Sequence, residues 1–283
     1  MKMKKNTLTH HTLPQWILFG VLFLISLIAI SPILWLFSAA LQDNAAIYMR
    51  DFSWIPKTFH WENFKAAWTE TKMNYAFVNN VIVSLIMLVF HLFFCTLGGY
   101  VLGKYRFKGR NVIVALIMAT MMIPQDITYF PVYSLISKLK LINTHLGMAM
   151  PFFVSGVGVF FMMQFSNYVP TEIIEAARID GCSEWEIFFK VALPNMKSSI
   201  SALGITAFSF IWNEYAWANL CSSSDSTRTL SITLAMLAND TTNKVQTVIM
   251  LAGGVIAVLP VLILFFIISK NFIESVTRSG LKG

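Results

Sequence analysis

The sequence predicts an all-α integral membrane protein of six transmembrane helices, with both termini in the cytoplasm. Three observations carry this expectation. The chain is 56% hydrophobic and only 12% charged, and a soluble domain carries about twice that charged fraction. Six apolar segments reach the ~20 residues that a helix needs to cross a bilayer. The net charge is +7, yet the Lys and Arg residues gather in short clusters between those segments. That is the pattern of topology signals rather than of a nucleic-acid face.

Taken in order, residues 1–15 form a cytoplasmic tail, and the first span is Trp16–Leu41, uncharged throughout. It is long for a signal peptide and no small-residue cleavage site follows it, so it reads as a retained helix. Residues 42–80 form an external segment of mixed charge, in which "WIPKTFHWENFKAAW" sets Trp54, Trp61 and Trp68 at the membrane interface. Residues 81–272 hold five further spans. These are Val81–Leu102; about Asn111–Leu135, broken by Pro124 and Pro131 and containing Asp126; about Leu146–Tyr168; about Ser198–Leu220, containing Asn213 and Glu214; and Val248–Ser269, with Gly253, Gly254 and Pro260 inside it. A loop at 169–197 joins the fourth and fifth, and 273–283 is a cytoplasmic tail. Gly98-Gly99 and Gly253-Gly254 read as close helix contacts.

The loops orient the bundle. One side carries Lys2, Lys4, Lys5, the "KYRFKGR" run, Arg178, Lys190, Lys197, Lys270, Arg278 and Lys282, which is 13 basic residues against 8 on the other side. The positive-inside rule therefore puts both termini and the 169–197 loop in the cytoplasm.

Several chemistries are excluded. Cys95, Cys182 and Cys221 share no close spacing, and the His10-His11 pair has no carboxylate or cysteine at ligand spacing. Neither a disulfide framework nor a metal centre is expected. No phosphate-cradling loop, H-E-x-x-H or G-x-S-x-G sequence occurs. No catalytic residues are expected, and any uphill work draws on a gradient or on another chain.

The 169–197 loop is an acidic island, with Glu172, Glu175, Asp180, Glu184 and Glu186 inside "PTEIIEAARIDGCSEWEIFFKVALP". It reads as two short helices with a sharp joint. Thr171 caps the first, and Glu172 lies in its first turn, where the helix dipole favours negative charge. Gly181 ends it in a left-handed conformation. Ser183 and Glu186 have capping-box spacing and start the second helix. Trp185, Phe188, Phe189 and Ala192 give that helix an apolar face, and Leu193-Pro194 ends it. Ala176-Ala177 leaves one face small enough for close approach. A loop lying on the cytoplasmic leaflet is the alternative, but that leaflet is itself negative. A basic groove on a protein partner suits five carboxylates better.

The order Glu175-Ala176-Ala177, three residues, Gly181, nine residues, Val191-x-Leu193-Pro194 resembles the EAA signature of binding-protein-dependent ABC importer permeases, with valine at 191 where isoleucine is usual. "GGYVLGKYRFKGR", "MMIPQDITYFPVYSLISKLKLINTHLG", "FSFIWNEYAWANL" and "LPVLILFFIISKNFIESVTRSGLKG" extend the likeness to the carbohydrate-uptake branch, the maltose-type permeases. The tail keeps Gly280 and Lys282-Gly283 but only part of the usual glycine-rich ending. The resemblance implies a type I ABC importer permease fold in a bacterial inner membrane. It implies a second homologous permease, two ATPase subunits and an extracytoplasmic solute-binding protein. It also implies that this chain binds no cofactor and that ATP and Mg²⁺ belong to the partner ATPase. The island is then the coupling element, with Glu172, Glu175, Ala176, Ala177, Asp180, Gly181, Ser183, Glu186, Leu193 and Pro194 as its residues. Glu175 is the ion-pairing residue and Gly181 the joint.

Polar groups inside apolar spans cost roughly 2.5–3.5 kcal/mol at a helix centre and face a cavity or a partner. Tyr129, Tyr133, Trp212, Asn213, Glu214, Trp217 and Asn219 are the candidate substrate path, because aromatic faces and amide or carboxylate groups suit sugars. Asn213 and Glu214 read equally well as polar ties within the bundle or to the partner permease, and the tyrosines as an interfacial belt. The substrate expectation is a sugar or oligosaccharide, with a polyol or sugar phosphate as the alternative. An ion-gradient-driven secondary transporter is the reading from another class; paired intramembrane carboxylates, which it calls for, are missing.

Overall fold

The computed structural model describes residues 13–48, 53–239 and 247–280. The His10-His11 pair, Arg50, Lys244 and the last three residues, Lys282 among them, lie outside the described residues, as does most of the 1–15 tail. The described residues are all helix and loop. Three helices are long and apolar enough to cross a membrane unbroken: α1 (Leu13–Ala40), α4 (Met73–Lys104) and α15 (Thr247–Gly280). Short helices α2 (Asn44–Tyr48) and α3 (Glu62–Thr69) lie between α1 and α4.

The expected third span is not one rod. It divides into α5 (Arg110–Met121) and α6 (Gln125–Lys138), which meet at 104°. Pro124 lies at the break as the N-cap of α6, with ψ 130°, where its missing amide hydrogen forfeits no bond within α6. Pro131, by contrast, stays inside α6. The expected fourth span bends by 51° between α7 (His145–Ala149), continued by a 3₁₀ turn at Met150–Phe152, and α8 (Gly156–Ser166). Counting each bent pair once gives five spans by length and composition. The expected fifth is also shorter than its sequence range: α12 (Lys197–Trp212) has 16 residues, ~24 Å at 1.5 Å per residue. It stops at Asn213, and the chain restarts as α13 (Ala216–Cys221) and α14 (Leu230–Ala238).

α4 is the axis of the molecule. Gly99 and Gly103 face α8 backbone to backbone: a Cβ on Gly99 would lie 2.5 Å from Met162 Cβ, and one on Gly103 would lie 1.8 Å from Ser166 Oγ. Gly98 and Gly254 have only ordinary contacts nearby, so one glycine of each expected pair makes the close approach, Gly99 and Gly253. Around this crossing Cys95, Tyr100, Leu102, Val159, Met162 and Met163 bury one end of the bundle. Near the other end Met87, Tyr129, Met148, Phe152 and Trp217 pack a second cluster. There the Asn79 amide donates to the carbonyls of Ser226 and Arg228 (2.9 and 3.0 Å) and its oxygen meets His145 Nε2 (2.8 Å). Asn80 donates to Trp212 O and accepts from Leu230 N. These amides anchor the 222–230 loop to α4, since buried backbone groups must find partners.

Candidate functional site: a capped elbow and an uncharged cavity

The acidic island folds as α9 (Thr171–Ile179), a tight turn, and α10 (Glu184–Glu186), which runs on through a π-helical turn at Ile187–Ala192 and α11 (Leu193–Asn195) into α12. Pro170 occupies the N-cap, and Thr171 is the first helical residue and caps nothing. Its hydroxyl is one residue too late to reach the free amides, so the expected Thr171 cap is corrected. The far end of α9 forms as expected. Gly181 has φ +85°, Gly181 N donates to Arg178 O, and Cys182 N donates to Ala177 O. Those two bonds are the Schellman pattern, and only glycine enters that φ without strain.

Ser183 and Glu186 close the expected capping box: Ser183 Oγ accepts from Glu186 N, and Glu186 Oε2 accepts from Ser183 N at 3.0 Å. The expected stop at Leu193-Pro194 falls slightly later: α11 ends at Asn195, and Met196, with φ −97° and ψ 6°, separates it from α12. The π turn precedes Pro194, and Asn195 Nδ2 bonds Val191 O at 2.7 Å. A local change of helical register lets the helix carry the proline for one further residue before it ends.

The elbow has an occupied side and a bare side. Ile174, Ile187, Phe188 and Ala192 are buried against Tyr100 and Leu102 of α4, with the Tyr100 and Phe188 rings 5.4 Å apart. The expected apolar face of the second helix is thereby divided: Phe188 and Ala192 are buried, whereas Trp185 is 58% exposed and stacks on exposed Phe189. Two of the five carboxylates hold the elbow itself. Glu184 bonds Arg178 Nη2 at 2.8 Å and also receives the Tyr105 hydroxyl. Glu186 pairs with Lys190 at 2.8 Å. Lys190, and after it the Ser183 amide and hydroxyl, hold the Glu186 carboxyl down at about 2. Tyr105, then Arg178, hold Glu184 below the usual carboxylate range. Glu172, Glu175 and Asp180 are exposed and make no side-chain hydrogen bond or ion pair among the described residues. With exposed Ala176, half-buried Ala177 and 87%-exposed Ile179, they form a bare acidic edge. Leu193 is half-buried and Pro194 exposed.

The candidate path residues do not form one surface. Tyr129, Glu214 and Trp217 come together: Tyr129 donates to Glu214 Oε1 at 2.9 Å, and the Tyr129 and Trp217 rings lie 5.8 Å apart. The Glu214 carboxylate also accepts from the amides of Trp217 (3.0 Å) and Ala218 (3.3 Å), which caps α13. Trp212 turns the other way, buried with its indole donating to Ala257 O at 2.9 Å. Asn213 donates to Ser209 O and is exposed, as are Tyr133 and Asn219. The packing reading of Glu214 thus has direct partners within the bundle.

A cavity of about 570 Å³ lies under the "KYRFKGR" turn, lined by Gly103–Val112 residues and Asn167. A larger one, about 800 Å³, opens between α4, α5, α6, α8 and α12. His91, Thr120, Gln125, Thr128, Ser155 and Thr206 supply its polar groups, beside Phe152 and Phe210, and no Asp, Glu, Lys or Arg lines it. None of the seven candidate path residues lines it. The hydroxyls of Thr120, Thr128 and Thr206 donate to backbone carbonyls of their own helices, which leaves oxygen lone pairs free to accept. The available signal was scattered hydroxyl residues within apolar spans, each too weak alone to mark a wall.

Fold and site define a polytopic helical membrane protein with a stiff, capped elbow at one end and an uncharged cavity between its spans. Residues 95–278 match the family model described as binding-protein-dependent transport system inner membrane component. The chain is 35% identical to the arabinooligosaccharides transport system permease protein AraQ of Halalkalibacterium halodurans, over 95% of this chain and 97% of that protein. It is 28% identical to the lactose transport system permease protein LacG of Rhizobium radiobacter, over 96% and 98%. The chain therefore belongs to the binding-protein-dependent transport system inner membrane component family. A crystal structure of a bacterial ABC transporter involved in the import of the acidic polysaccharide alginate shares the fold, with TM-score 0.79 at 22% identity over 93% of this chain and 99% of that one.

Proposed function

We propose that this chain is the permease subunit of an ATP-driven importer that carries a sugar or oligosaccharide, working with a second permease, two ATPase subunits and an extracytoplasmic binding protein. In this reading six spans are completed by α12 with α13, both termini are cytoplasmic, ATP and Mg²⁺ stay on the ATPase, and the elbow docks into it. The observation that carries the reading is the elbow itself: a joint whose inner side is packed on α4 and whose outer edge presents Glu175 and Asp180 without a side-chain partner among the described residues, with Glu172 beside them in the field of Lys104. A bare acidic edge beside small Ala176 and Ala177 matches a basic groove by charge and shape. ATPase closure then moves the elbow as a rigid body and turns the spans.

The substrate class rests on the relatives named for arabinooligosaccharides and lactose. Another relative, 25% identical, is named for sn-glycerol-3-phosphate transport. The uncharged lining of the 800 Å³ cavity favours a neutral sugar over a phosphate ester, because a buried dianion needs charged partners. The test is ATP-dependent uptake by the reconstituted complex. Glu175→Arg and Gly181→Leu are expected to insert normally and to lose uptake. Normal uptake in both overturns the coupling role.

A further inference from the structure

The mechanism requires a rigid path from the elbow to the spans, and one carboxylate outside the EAA signature joins the two. Glu184, on α10, is met from two other elements at once. Its Oε1 receives both Nε and Nη2 of Arg178, on α9, at 2.9 and 2.8 Å. Its Oε2 receives the hydroxyl of Tyr105, the first residue past α4. Glu184 itself opens α10. The Arg178 contact spans the Gly181 joint and so sets the angle between the two arms of the elbow. The Tyr105 contact ties that joint to the end of the helix that packs most closely on its neighbour. Lys104 adds a second tie, donating to Val169 O at 2.6 Å just before α9. Tyr105 also rests edge-on against Tyr100, whose ring packs on Phe188 of the elbow.

We propose that Tyr105, Glu184 and Arg178 form a strut that converts movement of the elbow into movement of the α4–α8 pair, with Glu184 as a positioning residue for transport. Hydrophobic contact by itself would hold the elbow against α4 but would let the surfaces slide. Directional hydrogen bonds to an ionised oxygen, one of them from a planar guanidinium, resist both sliding and rotation. Arg178 and Glu184 are about half exposed, so the strut adds little to overall stability. Its effect falls on the transmission of motion.

The proposal rests on the importer reading, and the experiment separates the two. The complete complex, carrying wild-type, Tyr105→Phe or Glu184→Ala permease, is reconstituted with its ATPase and binding protein. ATP hydrolysis and uptake are measured on the same vesicles. Each variant is expected to retain its ATPase partner on purification and to lower the ratio of solute moved to ATP hydrolysed by roughly threefold to tenfold, the net range of one solvent-accessible hydrogen bond. The exchange Arg178→Glu with Glu184→Arg is expected to recover part of that ratio over either single change. An unchanged ratio in both Tyr105→Phe and Glu184→Ala overturns the strut. So does a fall in uptake that tracks loss of the ATPase from the complex, because that is a folding defect. Absence of ATP-dependent uptake with the wild-type chain instead sinks the importer reading.

Discussion

α1 and α4 are both long, apolar helices of similar hydropathy, yet none of the most apolar stretch of α1 is buried within the chain, against 33% of that of α4. Apolar side chains gain nothing by leaving lipid for protein, so hydropathy sends a helix into the membrane without giving it a neighbour. What gives α4 neighbours is its exceptions. Gly99 and Gly103 let α8 reach its backbone, and Asn79, Asn80 and His91 bond to other segments. The corresponding residues of α1 act locally. Ser26 and Ser31 bond their own helix at Leu22 O and Ile28 O, and Gly20 has no atom within 4 Å of a Cβ position. Among the described residues α1 is seated at its C-terminal end, where Leu36, Phe37 and Ala40 pack with Ala252 and Val255 of α15 and Ser38 donates to Trp54 O.

The contrast is broken most directly at Gly103. Leucine there meets Ser166 and the Met163 carbonyl, and the backbones must separate. The expected loss is about 3 kcal/mol or more, read as a collapse of the thermal unfolding midpoint in detergent; a wild-type midpoint means α4 and α8 are not a close pair. Asn79→Ala is next, since it leaves two loop carbonyls without their donor. About 1–3 kcal/mol is expected, together with faster amide exchange in residues 222–230. Unchanged exchange there would show the loop to be held by other contacts.

The elbow supplies a pH test. Glu186 titrates near 2 when folded, against an ordinary 4.5. A depressed carboxyl stabilises above its unfolded value and loses that contribution as pH falls towards its folded one. Amide protection across 183–190 should therefore hold at pH 5 and drop between about 4.5 and 2, and Glu186→Gln should reduce that step to the part contributed by the likewise depressed Glu184. The smallest effect is expected on α1: Leu24 is exposed, and Leu24→Ala should change the stability of the isolated chain by less than about 0.5 kcal/mol. A larger loss in the complex than in the isolated chain would locate a partner on that face.

Much of the elbow was legible because its rules are local. Ser183 to Glu186 and the glycine at 181 act over three or four residues, and both formed as read. The Thr171 cap was misread by one residue of register, and the stop read at Leu193-Pro194 falls at Asn195, past an unforeseen π turn. The sugar-binding reading of "IWNEYAW" came from its composition; in the fold its Glu214 caps α13 and its Trp212 reaches α15, while Asn213 and Asn219 stay exposed.

By itself the sequence determined the helical membrane class, the positions of the apolar runs and the capped elbow, because transfer free energy and helix capping depend on residues within one segment. Only the tertiary structure decided that α5 and α6 meet at 104°, that Tyr129 reaches Glu214 across 85 positions, and that Tyr105 reaches Glu184 across 79. Those choices depend on which backbones can approach. Here the approach is set by two glycines on α4, one helical turn apart, whose missing side chains bring α8, and the elbow behind it, within reach.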